Sequence, residues 1–253
     1  MLKISTVFIG SIAAAFLLLP IAAQAQSVAD ILKKVDQAGN SDSAKMEVSQ
    51  TVTTPSGDTR TFKMMSYSSG GQEKGLTEYL APAQVRGMKI LTLNNGDDIW
   101  TYFPKTNRVR KIASSARNRR VQGSDFTYDD MATGEMAKNW KGKVAGTEKI
   151  NGVTCYKLDL VPTASGPKSY SRSTVWIDKT KNTMLRVEYY DLDGDKLKRL
   201  DISGYKKIKG IQIPMQYTMT NLVDGGTTVM KVLKVAINVE IDPGLFTEAG
   251  LSK

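Results

Sequence analysis

Hydrophobic and polar residues alternate with a period of two through most of the chain, after one early stretch that has helical spacing. The apolar positions of that stretch, spaced to share one helix face, are Val28, Ile31, Leu32 and Val35. Ser27 is a potential N-cap, and Gly39-Asn40 is a typical helix end. The pattern predicts a helix over residues 26–39 with one side against an apolar surface.

The second half of the chain shows the most regular alternation. It predicts strands over residues 143–150, 153–161, 173–178, 184–190, 196–202, 211–219 and 228–241. Each of the last two strands is predicted to carry apolar residues on one face. In the first of them these are Ile211, Ile213, Met215, Tyr217 and Met219, and in the second they are Val229, Leu233, Val235, Ile237 and Val239. With the strands of the first half there are about a dozen, joined by hairpin turns. This predicts a mainly β fold with few helices, built on a curved antiparallel sheet or incomplete barrel.

The predicted sheet has more apolar surface than one short helix can cover. The remainder closes on itself, gains further helical cover or binds a hydrophobic guest. Composition shows no internal break, so we expect a single domain over residues 26–253.

The N-terminal residues have the features of an export signal. Lys3 supplies a positive charge, an apolar run covers residues 7–19, and Ala23-Gln24-Ala25 is an A-x-A cleavage site. We expect cleavage after Ala25 and a periplasmic mature protein. The rival interpretation is an uncleaved anchor.

Residue types missing from the chain restrict its chemistry. There is no histidine, which removes the usual general base, the Ser-His and Cys-His pairs and the usual zinc ligands. Asp191, Asp193 and Asp195 lack the calcium-loop spacing, so we expect no metal site and no cofactor. The single cysteine, Cys155, lies in an alternating strand and is expected to be buried. These features disfavour an enzyme.

The stretch from residue 97 to residue 130 combines an aromatic hairpin with a cationic loop. Ile99, Thr101 and Phe103 alternate with Trp100 and Tyr102, so aromatic side chains fall on both faces of the strand. Residues 108–120 carry six Lys or Arg and no acid, in a chain of formal net charge +10. This combination suits an apolar ligand with an anionic end. A basic exported protein meets anionic lipid headgroups rather than nucleic acid.

Several motifs carry a resemblance to a known family. They are Tyr79-Leu80-Ala81-Pro82 with Arg86-Gly87, Asp98-Ile99-Trp100-Thr101-Tyr102-Phe103-Pro104 with Arg108-Val109-Arg110-Lys111-Ile112, Gly123-Ser124-Asp125-Phe126 with Tyr128-Asp129-Asp130, and Val175-Trp176-Ile177-Asp178 ahead of Arg186-Val187-Glu188-Tyr189-Tyr190-Asp191. In these motifs the chain resembles the LolA-like outer-membrane lipoprotein-sorting proteins.

The resemblance implies an incomplete β-barrel whose concave apolar face is covered by helices, similar to LolA, LolB and the lipid-sensing domain of RseB. It implies a periplasmic chaperone that carries the acyl chains of lipoproteins or of another envelope lipid. An inner-membrane transporter and an outer-membrane acceptor are the expected partners, with transient contact to membrane surfaces. It implies no catalytic residue.

Two sets of residues are candidates for lipid contact. The candidates for the cavity lining are Tyr79, Leu91, Trp100, Tyr102, Phe103, Phe126, Trp176 and Tyr189; the alternative for each is ordinary core packing. The candidates for headgroup contact are Arg108, Arg110, Lys111, Arg117, Arg119 and Arg120; the alternative is a solvated loop.

The leading hypothesis is therefore a non-catalytic periplasmic lipid carrier. A sensor or interaction module that regulates an envelope protein or transporter through the same cavity is the second hypothesis.

Overall fold

One long antiparallel sheet dominates the computed structural model, which describes residues 26–71, 73–132 and 134–252. The fifteen strands within these ranges are β1 (Ser43–Thr53), β2 (Thr59–Ser69), β3 (Lys74–Ala81), β4 (Lys89–Leu93), β5 (Asp98–Phe103), β6 (Arg108–Lys111), β7 (Trp140–Ile150), β8 (Val153–Pro162), β9 (Arg172–Asp178), β10 (Met184–Tyr190), β11 (Lys196–Ser203), β12 (Lys206–Ile208), β13 (Ile211–Ile213), β14 (Gln216–Asn221) and β15 (Thr227–Ile237). Thirteen form an open sheet in the order β6-β5-β4-β3-β2-β1-β15-β14-β11-β10-β9-β8-β7, and β12 pairs with β13 separately. The predicted mainly β, incomplete-barrel fold is confirmed.

Helix α1 (Val28–Gly39) confirms the predicted first element. The Ser27 side chain accepts a hydrogen bond from the Asp30 amide, and the apolar stripe is buried. Ile31 and Leu32 are fully buried against inward side chains of the second half of the sheet, which include Leu158 and Val187. The face of the sheet that α1 covers is called the inner face below. No helix in the described ranges is long and apolar enough to cross a membrane.

Further cover on the inner face comes from residues 117–132, which we call the strap, and from two one-turn helices. Helix α2 (Tyr128–Met131) lies within the strap, and α3 (Met136–Asn139) follows it. Phe126 and Met131 of the strap pack into the inner core. The outer face is covered near β4 and β5 by short turns that bring Phe246 and Leu251 onto the sheet.

Two details of the predicted strands are wrong. The strand predicted over residues 211–219 is two strands, because Pro214 interrupts the pairing and β13 joins β12 instead of the main sheet. The predicted stripe in β15 fails because a β-bulge opposite Glu47 and Val48 shifts the register, which leaves Leu233 half exposed. Thr228 and Val232 are the buried residues before the bulge, and Ile237 is buried after it.

The export signal expected over residues 1–25 lies outside the described residues. Cys155 is fully buried in a small outer-face cluster with Ile150 and Trp176, as predicted. Burial raises the pKa of its thiol.

A buried polar network fixes the strap to the sheet. Lys198 of β11 forms an ion pair with Asp130 of the strap, and both side chains are almost completely buried. Its ammonium also lies 5.2 Å from the centre of the Tyr170 ring and 5.6 Å from that of Tyr189. The Tyr170 hydroxyl donates a 2.6 Å hydrogen bond to Asp130. Burial and the nearby Asp130 charge raise the pKa of Tyr170, which therefore stays a donor.

Two more carboxylates hold the strap at its flanks. Asp129 accepts hydrogen bonds of 3.1 Å from the amides of Lys168 and Ser169. The Thr228 hydroxyl of β15 donates a 2.7 Å hydrogen bond to Asp125. The strap is thus attached to β11, to the loop between β8 and β9 and to β15 through polar side chains, as well as through the packing of Phe126 and Met131.

The apolar stripe of α1 gives the first prediction. Leu32→Ala should lower the free energy of unfolding by about 2–5 kcal/mol, because it leaves a cavity in a tightly packed core. Lys33→Ala on the exposed side is the control and should change it by less than about 0.5 kcal/mol. Urea unfolding measures both, and equal effects would contradict the packing of α1.

The ion pair of the strap gives the second prediction. Lys198→Met should lower the free energy of unfolding by about 3–5 kcal/mol, because it leaves the Asp130 carboxylate buried without its cation. Adding Asp130→Asn should recover part of that loss, since the remaining buried group is neutral.

Lys196→Met is the matched control, on the same strand. Lys196 pairs with Glu188 while its own side chain is 53% exposed, so its loss should cost less than about 1 kcal/mol. If Lys196→Met and Lys198→Met destabilise the protein equally, the proposed importance of the buried pair is wrong.

Candidate functional site

A cavity of about 330 Å³ lies between the inner face of the sheet and the strap. Its floor comes from seven neighbouring strands, with Val48 and Met230 near the centre, and its roof includes Phe126 and Met131. We call it the central cavity. It exists because the strap crosses the inner face at its polar anchor points and does not fill the space beneath it.

A second cavity of about 250 Å³ adjoins the central cavity on the side of α1. We call it the helix-side cavity; Val35 of α1, Met136 and Ile202 are among its walls. Both cavities have Met46 and Tyr217 in their walls. The two spaces therefore lie side by side along the inner face.

The lining of these cavities is mainly apolar and adaptable, with a small number of polar groups. Five methionines contribute to it: Met46, Met131 and Met230 in the central cavity, and Met136 and Met184 in the helix-side cavity, which Met46 also reaches. Methionine side chains are unbranched and polarizable, so they adjust to ligands of different shape. The hydroxyls of Ser66 and Thr77 also line the central cavity.

The titratable groups around the cavities are kept neutral or are hydrogen-bonded. Burial raises the pKa of Tyr217 to about 12, and burial also raises the pKa of Tyr205. The Tyr205 hydroxyl donates a 2.7 Å hydrogen bond to the Met184 carbonyl. Asp130 also lines the central cavity, where Lys198 balances its charge.

Asp36 attaches α1 to α3 beside the helix-side cavity. Its carboxylate accepts hydrogen bonds from the amides of Met136 (2.8 Å) and Ala137 (3.0 Å), which have no partner within the short helix. Burial raises the pKa of Asp36, and the two hydrogen bonds offset part of that rise. The two helices on this side therefore form one linked cover.

Four of the predicted lipid-contact residues lie on the inner face. Phe126 lines the central cavity. Tyr189 packs in the same core beside Tyr170, with 4.7 Å between ring centroids. Tyr79 is fully buried against Phe62 in an edge-to-face contact, and burial raises its pKa. Phe103 lies farther along the inner face, near the sheet edge formed by β6.

The other four lie on the outer face. Leu91, Trp100 and Tyr102 pack with Phe246 and Leu251 beneath the C-terminal turns. Trp176 packs with Ile150 and Cys155, and its indole donates a 3.1 Å hydrogen bond to Glu148. The structure thus places the eight aromatic and aliphatic candidates in two groups on opposite sides of the sheet.

Three of the six predicted headgroup cations have intramolecular partners. Arg117 donates a 2.8 Å hydrogen bond to the Asp97 carbonyl and pairs with Asp129 at 3.4 Å. Arg120 pairs with Asp224 at 2.5 Å and lies 3.8 Å from Asp125.

Lys111 pairs with Asp98 and lies 5.5 Å over the ring of Trp100. These three cations hold the strap and the outer edge of the sheet.

The other three cations, Arg108, Arg110 and Arg119, are exposed, and no ion pair involves them in the parts of the chain that the structure describes. Arg110 lines a third pocket, of about 390 Å³, between the β5–β6 hairpin and the loop after β3. We call this the edge pocket. It shares no lining residue with the central cavity or the helix-side cavity.

Sequence reasoning missed most of the cavity lining. Met46, Ser66, Thr77 and Met230 lie on four different strands and meet only through the pairing of β3, β2, β1 and β15. Their alternation predicted strands but gave no signal for which face is inner. Within the described ranges, no group of three or more Asp, Glu or Cys residues is placed to hold a metal ion.

Comparison with known proteins identifies the family. A family model described only as an uncharacterized protein matches residues 71–253. No functionally curated protein matches the sequence significantly.

Three solved structures share the fold over nearly their whole length. A domain from Vibrio parahaemolyticus described as an outer-membrane lipoprotein-sorting protein is 25% identical, with a TM-score of 0.83 over 89% of this chain and 98% of its own. A DUF1329 family protein from Desulfovibrio piger is 26% identical, with a TM-score of 0.82 over 88% and 97%. A LolA superfamily protein from Nitrosomonas europaea shows the same fold at 20% identity, with a TM-score of 0.74 over 88% and 98%.

The chain therefore belongs to the family whose model matches residues 71–253, and its open antiparallel sheet with helical cover is the fold of the LolA-like outer-membrane lipoprotein-sorting proteins.

Proposed function

We propose that this protein is a non-catalytic periplasmic carrier that shields the acyl chains of a lipid or lipoprotein in the central and helix-side cavities. The observation that carries the proposal is the pair of adjoining cavities between the inner face and its cover. The similar domain from Vibrio parahaemolyticus, described as an outer-membrane lipoprotein-sorting protein, supports the same interpretation.

The physical basis of binding is burial of methylene groups. Each methylene moved from water to an apolar surface contributes about 0.8 kcal/mol, so several of them give useful affinity without any charged contact. The central cavity alone, at about 330 Å³, is within the size range of small-molecule pockets. The hydroxyls of Ser66 and Thr77 in its floor can donate hydrogen bonds to the ester or amide carbonyls that join acyl chains to a lipid or lipoprotein.

Entry of an acyl chain requires the cover to move, and the packing indicates which parts move most readily. Helix α3 is one turn long and is attached to α1 through Asp36. The strap is fixed by the buried Lys198–Asp130 pair. We therefore expect α3 and the C-terminal end of α1 to open before the strap does, since local opening starts where few groups are buried.

Export to the periplasm and the lack of catalysis are part of the same proposal. The signal expected over residues 1–25 and the family both support a periplasmic location. The absence of histidine and the ion-paired or hydrogen-bonded state of the carboxylates around the cavities favour binding over bond-breaking.

The proposal predicts that filling the central cavity weakens acyl-chain binding. Ser66→Phe places a ring beneath the strap and should weaken the binding of a fluorescent fatty-acid analogue by at least about tenfold, which is about 1.4 kcal/mol. Fluorescence titration of delipidated protein measures the dissociation constant.

Ser49→Phe is the matched control, because Ser49 lies on the neighbouring strand β1 and faces the opposite side of the sheet. It should bind the analogue as the unmodified protein does. Equal loss in both variants, or no binding by the unmodified protein, would contradict the carrier function and favour a sensor or interaction module.

A further inference from the structure

The edge pocket has the chemistry of a site for an amphipathic anion. Its apolar floor comes from Val85, Met88 and Phe103, and its rim carries Lys105 and Arg110. Its volume, about 390 Å³, exceeds that of the central cavity. An apolar floor with a cationic rim is complementary to a ligand that has an apolar part and an anionic end.

The register of the β5–β6 hairpin places a second arginine, Arg108, on the same face of β6 as Arg110. Arg110 pairs with Thr101, and Arg108 pairs with Phe103. Residues two apart on a strand project from the same face about 6.6 Å apart. Arg108 therefore projects from the same face of β6 as Arg110, which lines the edge pocket together with Lys105 of the hairpin turn.

The charge of these three cations is not balanced within the described parts of the chain. None of the three takes part in an ion pair there, whereas the neighbouring Arg117 and Arg120 each meet a carboxylate. Like charges on one short hairpin repel one another, so an anion bound beside them relieves that repulsion. The arrangement suits an anion held by more than one cation.

The geometry of the cations favours phosphate. A guanidinium is planar and presents paired N–H donors that match two phosphate oxygens at once. Two such groups on one strand, with Lys105 beside them, offer donors from two directions. We propose that the edge pocket binds the phosphate headgroup of an anionic phospholipid, whose glycerol and first acyl carbons lie against Val85, Met88 and Phe103.

This site is separate from the acyl-chain cavities, so the two proposals can fail independently. The edge pocket lies at the sheet edge formed by β6, and the acyl-chain cavities lie under the strap, α1 and α3. A protein that holds acyl chains in the interior and contacts a headgroup at its edge can approach an anionic membrane surface in one orientation.

Calorimetry with short-chain phosphatidylglycerol as the probe tests the site in the mature full-length chain. The double variant Arg108→Gln/Arg110→Gln should weaken binding by at least about tenfold, because each charge-assisted contact to phosphate is lost. Phe103→Ala should weaken it by a smaller factor, because the apolar floor is lost while the cations remain. Inorganic phosphate should bind at least about tenfold more weakly than the phospholipid, because it has no apolar part to lie against the floor of the pocket.

The other edge of the sheet offers a matched control. Lys141 and Lys143 are exposed cations two residues apart on the edge strand β7, so Lys141→Gln/Lys143→Gln removes the same charge at the same spacing. It should change the dissociation constant by less than about twofold. If it weakens binding as much as the arginine variant does, general surface charge explains the affinity and the proposal is overturned.

Two further outcomes would overturn the headgroup site. Inorganic phosphate that binds as tightly as the phospholipid would indicate a free-phosphate site. The arginine variant and its lysine control can also be compared in the Ser66→Phe background, where the central cavity is filled and cannot take up the phospholipid. The difference between the arginine variant and its control should persist there, and its disappearance would place the phospholipid in the central cavity instead.

Discussion

The structure depends on one constraint: an open sheet of thirteen strands has an apolar inner face that its own strands do not close over. In a closed barrel, that face would be filled by side chains from opposite walls. Here the face must be covered by other elements or by a ligand. Helix α1, the strap and α3 provide the cover, through apolar packing and through buried polar contacts.

The three covering elements are held by different sets of contacts, and the cavities lie beside the polar ones. Helix α1 packs through Ile31 and Leu32 as an ordinary amphipathic helix. The strap is held by Lys198 and Asp130, a buried pair that fixes one position but does not fill the space around it. Helix α3 is attached through hydrogen bonds from its first two amides to the carboxylate of Asp36. A cover fixed at discrete polar points leaves room beneath it, whereas a fully apolar cover would pack down to the density of a protein core.

The same polar contacts explain why the cationic stretch does not act as one surface. Arg117 pairs with a carboxylate of the strap, and Arg120 pairs with a carboxylate of the β14–β15 turn. Arg108 and Arg110 project from the face of β6 opposite to Lys111, and both are exposed without an ion pair in the described parts of the chain. One run of basic residues thus divides into a structural part and a part that is free to meet a ligand.

Much of the fold could be predicted from local patterns, because α1 and the hairpins are specified by spacing and turn residues that lie close in sequence. The lining of the cavities could not. Period-two alternation states that Trp100 and Thr101 face opposite ways, but which of them faces inward depends on how distant strands curve around α1. The partners of Arg117 and Arg120 depend likewise on strap carboxylates and on Asp224, which is 104 residues from Arg120. The bulge that exposes Leu233 arises from pairing with β1, at the other end of the chain.

The measurement that tests the account most directly is native mass spectrometry of the mature protein, taken gently from the envelope of its own host. The account predicts a discrete added mass that fragments to release acyl chains, from a phospholipid, another envelope lipid or a lipoprotein. Protein that is bare in every preparation, and stays bare after incubation with a lipid extract of the same envelope, would contradict the carrier function.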